Sequence, residues 1–206
     1  MKKIMFEKPG TMLYPLPAVM VSCGTEPEEF NIITIAWTGT VNSDPPMLFV
    51  SIRKSRHSYD IIKRTGEFVV NLTTEKLVEA TDYCGVKSGR DVDKFAEKKL
   101  TPMGAKFVKC PMIAESPVSI ECRVTQVIEL GSHDMFLAEV LAVHADQGLM
   151  DKNGKLNLER AGLLTFSHGG YFGVKQKCLG RFGYSIMKPK TAKRIARERQ
   201  SKKTKK

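Results

Sequence analysis

The chain has 206 residues, of which 42% are hydrophobic and 27% are charged, and its formal net charge is +11. This composition is typical of a globular protein and excludes a fibrous or largely disordered one, and the length suits one ordinary domain or two small ones. No window of about 18 uncharged apolar residues occurs and no apolar stretch follows the basic N-terminus, so we predict neither a membrane-spanning helix nor a secretory signal and expect a cytoplasmic protein.

Short apolar runs in the first quarter of the chain predict buried strands. Residues 15–23 and 47–53 are bounded by proline, glycine or charge, as buried strands are. Between them, residues 31–41 alternate in size and predict one strand with a large face and a small face. The large face carries Ile33, Ile35 and Trp37, and the small face carries Thr34, Ala36 and Thr38.

Helices and strands alternate in the next segment. Ser58 is predicted to cap a helix that runs through Thr65, because its hydroxyl can accept a hydrogen bond from the first turn. A strand follows at residues 67–72, and Thr73 or Thr74 is predicted to cap a second helix. Residues 85–99 are charged and contain glycine, so we expect an exposed loop that leads into a short helical turn, a place where proteins often bind ligands.

The second half of the chain predicts a long β-hairpin. One alternating strand follows Pro117 and ends at Glu129, a turn covers residues 131–134, and a second strand, apolar on both faces, covers residues 135–144. Short strands separated by turns and few helices favour a mainly β (α+β) fold, a closed and mostly antiparallel barrel with short helical insertions. A doubly wound α/β sheet would need a helix between most neighbouring strands, which the sequence does not supply.

The positive charge is concentrated at the C-terminus. Residues 187–206 contain ten Lys or Arg and one Glu, whereas residues 1–186 contain 23 basic and 21 acidic residues. We therefore predict a domain over residues 1–186 followed by a basic tail over residues 187–206. The tail is either a solvated extension or a contact site for RNA, DNA or another anionic surface.

The cysteines and histidines predict no metal site. No C-x-x-C, H-x-x-H or H-E-x-x-H spacing occurs, and an odd number of cysteines disfavours a disulfide scaffold. We expect buried free thiols at the five cysteines, which are Cys23, Cys84, Cys110, Cys122 and Cys178.

The densest polar cluster lies where a predicted strand ends and a predicted helix begins. The free N–H groups at the start of a helix, surrounded by cations and hydroxyls, can bind a phosphate. The alternative is a solvated basic turn in which Ser58 only caps the helix. The cluster is the continuous run from Ser51 to Ser58, with the sequence SIRKSRHS.

Several short motifs, spaced along most of the chain, resemble in their identity and order those of the flavin reductase-like family of FMN-binding split barrels. The resemblance is strongest to the flavoredoxin branch of that family. The resemblance covers roughly residues 10 to 185 and implies a Greek-key split β-barrel, a homodimer, and FMN held as a prosthetic group that passes electrons. The matching pieces are residues 31–39 (NIITIAWTG), Asp44-Pro45-Pro46, Ser51-Ile52-Arg53 with His57-Ser58, residues 66–71 (GEFVVN), Ser88-Gly89 with Asp93-Lys94-Phe95, residues 131–134 (GSHD) before Glu139-Val140, and Tyr171-Phe172.

The resemblance also implies which residues contact the cofactor. It implies that Ser58 and the turn before it contact the phosphate or ribityl end of FMN, and that Lys94 is a second cation at the flavin. The candidate catalytic residue is His133, which would donate a hydrogen bond to the flavin ring or orient a hydride donor. The implied contacts are Asn31, Thr34, Ala36, Trp37, Thr38, Ser51, Arg53, Ser55, Arg56, His57, Ser58, Ser88, Lys94 and Phe166.

Each of these residues also has an ordinary structural interpretation. Trp37 is equally typical of a core aromatic, Lys94 of a solvated helix charge, and His133 of an exposed turn residue. Asn31 is also typical of the start of a strand. The sequence alone leaves these alternatives open.

The expected function is electron transfer or NAD(P)H-dependent reduction through bound FMN. No G-x-G-x-x-G motif follows a predicted strand, so a nicotinamide donor would dock directly over the flavin, and a redox protein is an equally compatible donor. One alternative is an NAD(P)H:flavin oxidoreductase that uses diffusible FMN or FAD to supply a partner monooxygenase. Another is a non-enzymatic nucleic-acid binder that acts through the basic tail.

Overall fold

A computed structural model of the chain describes residues 1–175, 178–188, 191 and 194. The chain forms two compact units, Met1–Lys175 and Gln176–Lys206. All of the strands described below belong to the first unit, and the second contains a 3₁₀ turn at Tyr184–Ile186. The predicted basic tail lies outside the described residues except for positions 187, 188, 191 and 194, so the boundary at residue 186 stays a prediction.

Strands dominate the described part of the first unit. In chain order they are β1 (Leu16–Pro17), β2 (Val19–Cys23), β3 (Asn31–Ile35), β4 (Thr38–Ser43), β5 (Pro46–Ile52), β6 (Glu67–Leu72), β7 (Pro102–Met103), β8 (Met112–Ile113), β9 (Val118–Glu129), β10 (Asp134–Ala145), β11 (Leu164–Ser167) and β12 (Gly170–Gly173).

The helices of this unit are short. They are α1 (His57–Thr65), α2 (Val78–Val86) and α3 (Lys94–Glu97), with 3₁₀ turns at Pro27–Glu29, Glu75–Leu77, Gln147–Leu149 and Leu158–Arg160. In the residues that the structure describes, none of the helices is long and apolar enough to cross a membrane.

Seven strands form one antiparallel sheet in the order β3-β2-β6-β9-β10-β5-β4. Strands β3 and β4 are the two edges of this sheet, yet only Ala36 and Trp37 separate them in the chain. The sheet is therefore rolled until its edges meet, and a hydrogen bond of 2.9 Å from Ser51 N to Trp37 O joins the linker to β5. The predicted mainly β barrel with short helices is present.

The prediction of one strand over residues 31–41 is wrong at this linker. The chain bends at Ala36 and Trp37, and the two halves have different partners, since β3 pairs with β2 and β4 pairs with β5. The alternation of side chains runs through the bend, because both halves are extended, and so the pattern does not reveal the break.

The predicted hairpin is confirmed in β9 and β10. The two strands pair along their length, from Asp134 opposite Glu129 to Ala145 opposite Val118. Gly131 has a φ of 90° in the turn, a conformation that glycine adopts without a steric cost. The hairpin therefore carries the His133 turn to the end of the sheet at which β5 ends.

Two apolar clusters lie on opposite faces of β2 and β3. Val21 and Ile33 belong to the barrel interior, into which α1 inserts Ile62. Met20 and Ile32 face the other way and pack against α2 and α3. Because both faces are covered, these strands are nearly continuous runs of apolar residues.

The helix starts differ from the predictions. Arg56 occupies the N-cap position of α1, with no side-chain cap, and Ser58 lies inside the first turn. Thr74 does occupy an N-cap position, but it is that of the 3₁₀ turn before α2. The Thr74 side chain makes no capping hydrogen bond. Gly66 ends α1 at a φ of 70°, as glycine commonly does at a helix C-terminus.

Two predictions of exposure and burial need correction. Within residues 85–99, α2 continues to Val86, and Lys94 and Phe95 are buried, not exposed. Among the cysteines, Cys178 is exposed. The other four thiols are free and buried, as predicted: Cys23, Cys84, Cys110 and Cys122.

Candidate functional site

A cavity of about 560 Å³ opens where β3, the start of α1 and the loop after α2 meet. This volume lies within the range of about 300–1,000 Å³ found for small-molecule sites. The lining residues are Asn31, Ile33, Arg53, Ser55, Arg56, His57, Ser58, Cys84, Lys87, Ser88, Gly89, Arg90 and Lys94. We call it the basic cavity.

The basic cavity is suited to an anion. Its lining includes five cationic side chains and, in the described part of the chain, no acidic one; the cations are Arg53, Arg56, Lys87, Arg90 and Lys94. The first N–H groups of a helix have no intrahelical acceptor, and those of α1 receive no side-chain cap. Because these N–H groups and the helix dipole favour negative charge, α1 adds to the attraction of the cations.

One buried side chain fixes the floor of this cavity. Asn31 Nδ2 donates a hydrogen bond of 2.7 Å to Ser58 Oγ, which joins β3 to the first turn of α1. Gly89 approaches the same amide so closely that a Cβ on it would overlap Asn31 Oδ1. The strand, the helix and the loop are therefore packed on Asn31.

Lys94 is held rigidly at the same floor. Its side chain is only 3% exposed, and its Nζ donates hydrogen bonds to Ile32 O at 2.6 Å and to Cys84 O at 2.9 Å. Burial, and then the charge of Arg56, lower the pKa of this ammonium. Two of its three N–H groups are used by the backbone, which leaves one for a ligand in the cavity that it lines.

The thiols beside Lys94 are poor nucleophiles. Burial raises the pKa of Cys84 to about 11 and that of Cys23 to about 12, although the charge of Lys94 opposes the rise in both. Thiols with such pKa values are protonated near neutral pH and inert. They line or support the cavity as small apolar groups.

A narrower slot of about 120 Å³ continues from the basic cavity. The two share Ile33, Arg53 and Arg56 as lining residues. The rest of the slot is formed by Thr34, Ile35, Ala36, Trp37, Ser51, Ile52 and His133. The slot is therefore lined by two small residues, Thr34 and Ala36, and by two aromatic rings, those of Trp37 and His133.

Trp37 and His133 both line this slot and are in contact with each other. Their ring centroids are 4.5 Å apart in an edge-on arrangement, and Ser132 Oγ lies 2.9 Å from His133 Nδ1. Burial, and then the charge of Arg53, lower the pKa of His133 below its ordinary value of 6.5. The imidazole is therefore neutral near pH 7 and can both donate and accept a hydrogen bond.

A third cavity of about 220 Å³ lies beyond the slot and shares Thr34 and Ala36 with it. Phe166 and Tyr171 form its aromatic wall, with their ring centroids 5.5 Å apart. Burial, together with the nearby carboxylate of Asp82, raises the pKa of Tyr171 to about 12. The tyrosine is thus a protonated hydrogen-bond donor near neutral pH.

The structure brings most of the predicted site residues together in three groups. Thr38 lines none of these cavities, since its hydroxyl donates to Phe49 O at 2.5 Å. The basic cavity contains Asn31, Arg53, Ser55, Arg56, His57, Ser58, Ser88 and Lys94; the slot contains Thr34, Ala36, Trp37, Ser51 and His133; and the third cavity contains Phe166.

Two of the alternative interpretations are wrong in this structure. Lys94 is not a solvated helix charge, because its ammonium is buried on backbone carbonyls. Trp37 is not a core aromatic, because it is 37% exposed at the slot. Lys87, Gly89 and Arg90 also line the basic cavity and were not among the predicted site residues, although the charged loop that contains them was predicted to be able to bind a ligand.

Comparison with known proteins gives consistent results. A family model described as flavin reductase like domain matches residues 11–175. An uncharacterized protein of Archaeoglobus fulgidus is 34% identical over 160 residues, which is 78% of this chain and 88% of the relative.

Two solved flavoredoxin structures resemble this chain in fold. That of Desulfovibrio vulgaris (Miyazaki F) has a TM-score of 0.82 at 29% identity and covers 90% of this chain and 100% of its own. That of Methanosarcina acetivorans has a TM-score of 0.80 at 28% identity and covers 91% of this chain and 100% of its own. The predicted split-barrel fold is confirmed.

Proposed function

From the premise that this chain belongs to the flavin reductase-like domain family, we propose that it is an FMN-binding oxidoreductase that transfers electrons through bound flavin. The observation that carries the proposal is the continuity of the basic cavity with the slot, which pairs an anion site with a flat, partly apolar space. FMN has the same two parts, a phosphate and a planar ring.

The residues of the basic cavity fit the phosphate and ribityl end. A phosphate monoester carries close to two negative charges near neutral pH. The uncapped start of α1, the guanidinium of Arg56 and the ammonium of Lys94 would hold these charges, and Ser58 presents a buried hydroxyl beside them. Such charge-assisted hydrogen bonds are about twice as strong as neutral ones.

The residues of the slot fit the ring. Thr34 and Ala36 leave room beside the β3–β4 bend, Ser51 supplies a hydroxyl, and Trp37 covers the end and excludes water. Neutral His133 would donate to or accept from the edge of the ring or a second substrate. When bound, FMN supplies an electron acceptor that can be reduced and reoxidised.

A homodimer in the cytoplasm is part of the proposal. The first unit exposes a group of apolar side chains near its N-terminus, which a second copy of the chain would cover: Ile4, Met5, Phe6 and Leu13. Exposed apolar groups of this kind often mark protein contacts. Light scattering on the purified protein measures the mass directly.

The decisive experiment is a titration of the purified protein with FMN and with riboflavin. We expect a yellow protein that binds FMN more than about tenfold more tightly than riboflavin, a difference of about 1.4 kcal/mol. Lys94→Met should weaken FMN binding more than riboflavin binding, because only FMN carries the phosphate, whereas the loss of the hydrogen bonds to Ile32 O and Cys84 O affects both flavins. The control Lys76→Met removes an exposed cation that does not line the site. Equal affinities for the two flavins would contradict the phosphate assignment.

The electron donor is tested by an anaerobic spectrum before and after addition of NADH or NADPH. Bleaching of the flavin absorbance supports a reductase, and a spectrum that stays oxidised supports a redox-protein donor. Flavin that is lost on dialysis, combined with rapid NADH oxidation when free flavin is added, would favour diffusible flavin over a prosthetic group.

A further inference from the structure

The buried carboxylate of Asp134 has no part in the proposed function. Asp134 directly follows His133 and opens strand β10, and its side chain is fully buried. Its Oδ2 accepts a hydrogen bond of 2.6 Å from Tyr59 Oη. Its Oδ1 is also buried and accepts no hydrogen bond from the residues that the structure describes.

Glu121 is equally buried, but its carboxylate is satisfied much more completely. Its two oxygens accept three hydrogen bonds from backbone N–H groups and one from His144. Burial of a charged group is unfavourable unless hydrogen bonds and opposite charges replace its hydration. A gain in stability therefore does not explain Asp134, and its role lies in what its partners hold in place.

The partners of Asp134 hold both ends of the turn that carries His133. Asp134 and Glu129 lie opposite each other as the last pair of the β9–β10 hairpin before this turn. Lys54 Nζ lies 3.3 Å from Glu129 Oε2 and 3.6 Å from Asp134 Oδ2. One cation thus bridges the two residues between which the turn begins and ends.

The same partners flank the segment that contributes to the anion site. Lys54 follows the end of β5, and Tyr59 lies in the first turn of α1. Residues 55–58, which lie between them, all line the basic cavity. Asp134 therefore connects this segment to the His133 turn at the end of the barrel.

Tyr59 gives the connection a rigid base. Its side chain belongs to the barrel core, and its hydroxyl oxygen accepts a hydrogen bond of 3.3 Å from Lys63 Nζ while its proton is donated to Asp134. Hydrogen bonds in such a chain strengthen one another. The charged groups around the Tyr59–Asp134 pair are Lys63 of α1, Lys54 after β5 and Glu129 of β9.

The turn itself gives His133 little support. Leu130 and Ser132 are exposed, and a Cβ on Gly131 would meet nothing within 4 Å. Because the tip is open, the direction of the imidazole is set at the base of the turn, where Asp134 lies.

We propose that Asp134 is a positioning residue for His133: held by Tyr59 and Lys54, it fixes the direction in which the turn presents the imidazole to the slot. This role rests on the proposed function, because Asp134 reaches the flavin chemistry only through His133. Asp134 is not among the described residues that line the basic cavity or the slot, so it is not a catalytic residue.

The test is a pH titration of Trp37 fluorescence in the full-length protein freed of flavin, since a protonated His133 in contact with the indole quenches its emission. In the wild type, burial and then Arg53 lower the pKa of His133 below 6.5. Tyr59→Phe removes only the hydroxyl that binds Asp134. We expect its midpoint to rise to about 6.5, the ordinary value for an imidazole, and the quenching to weaken, because a released turn leaves both its surroundings and the indole.

Asp134→Ala tests the same role with the opposite electrostatic sign. The loss of a negative charge would by itself lower the midpoint, whereas release of the turn raises it. The matched control Tyr83→Phe removes the hydroxyl of a tyrosine whose ring contacts Lys98, and it should leave the midpoint unchanged. Near-ultraviolet circular dichroism at neutral pH checks that each variant keeps its packed core. Tyr59→Phe, which preserves the ring, decides the question if Asp134→Ala does not fold.

Three results would overturn this role of Asp134. One is an unchanged midpoint in Tyr59→Phe, whether or not the variant is less stable, because a bond that only stabilises the fold would not move the titration of His133. Another is an equal change in Tyr83→Phe. The third is a lowered midpoint in Asp134→Ala, which would assign its effect to charge and not to position. None of these measurements uses flavin, whereas the FMN and riboflavin titration judges the proposed function, so the two can fail independently of each other.

Discussion

Asn31 and Ser58 are joined by a buried hydrogen bond although 27 positions separate them in the chain. The first residue opens strand β3 and the second lies in the first turn of α1. Both are almost inaccessible, at 4% and 1% exposure. The bond fixes the start of α1 at the floor of the basic cavity, so the arrangement of the lining residues depends on it.

Replacing Ser58 with alanine should destabilise the fold and weaken flavin binding. The substitution leaves Asn31 Nδ2 buried without an acceptor in the described residues, which costs about 1–3 kcal/mol. Urea unfolding measures the loss. The control Asn42→Ala removes an exposed bond to Pro45 O and should change stability by less than about 0.5 kcal/mol. Equal stability of Ser58→Ala and wild type would contradict the role of the bond.

Gly89→Ala should lower both stability and FMN affinity. A Cβ at this position meets the Asn31 amide, which cannot move without breaking its bond to Ser58, so we expect a cost of about 1–3 kcal/mol. Gly104→Ala is the matched control, because nothing lies within 4 Å of the added methyl group. That control should be neutral or slightly stabilising. Thermal unfolding and flavin titration distinguish the two variants.

The fluorescence of Trp37 should report the protonation of His133. Trp37 is the only tryptophan in the sequence, and a protonated imidazole in contact with an indole quenches its emission. Because burial and then Arg53 lower the pKa of His133, the midpoint of the quenching should lie below pH 6.5. The neutral imidazole is the form that the folded state favours, so its contribution to stability is complete above 6.5 and is lost as the pH falls through the lowered value.

Two variants test the assignment of this transition. His133→Asn should abolish it, and Arg53→Gln should move its midpoint upward, because one of the two causes of the shift is removed. A midpoint at or above 6.5 in the wild-type protein would be incompatible with the described environment of His133.

Glu121→Gln should destabilise the protein far more than a surface substitution on the same hairpin. The fully buried carboxylate of Glu121 accepts hydrogen bonds from His144 Nε2 at 2.5 Å and from the backbone N–H groups of residues 106–108. Hydrogen bonds to a charged group contribute about 1.5–3 kcal/mol each, and we expect a loss of at least about 2 kcal/mol. Glu129→Gln, which removes an exposed ion pair with Lys54, should cost less than about 1 kcal/mol.

Because of the same Glu121 carboxylate, we expect the free energy of unfolding to depend on pH. Burial raises the pKa of Glu121, but its hydrogen bonds outweigh this and hold the pKa below the ordinary value of 4.5. Its contribution is therefore complete above 4.5 and is lost as the pH falls through the lowered value. Urea unfolding at about pH 7 and below pH 4.5 should show wild type and Glu121→Gln converging in acid. A constant difference between them would contradict the assignment.

The sequence predicted the elements whose periodicity is local. The β9–β10 hairpin follows from an alternating strand before the turn at Gly131 and an apolar strand after it, and the strand at residues 67–72 was predicted with the bounds that it has. The break at Ala36 was not visible, because closure of the barrel and not a local turn signal bends the chain there.

The residues that were misassigned are those with distant partners. Ser58 was predicted to cap its own helix, but its hydroxyl accepts a hydrogen bond from Asn31, which lies on strand β3. Lys94 lies among charged neighbours that indicate exposure, and its burial depends on carbonyl groups of β3 and α2. Both residues line the basic cavity, and the local sequence pattern alone did not predict the contacts that they make there.

The hydrogen bonds that hold Lys94 make the expected yellow colour of bound flavin depend on complete folding of the chain. Its two acceptor carbonyls come from β3 and α2, which meet only after the rolled sheet has formed and the helices have docked on it. A chain that has collapsed but has not yet closed its barrel would lack these two acceptors for Lys94, and we expect it to bind no flavin and to remain colourless. The yellow colour expected of the mature protein can therefore serve as a visual screen, in intact colonies, for variants that complete their assembly.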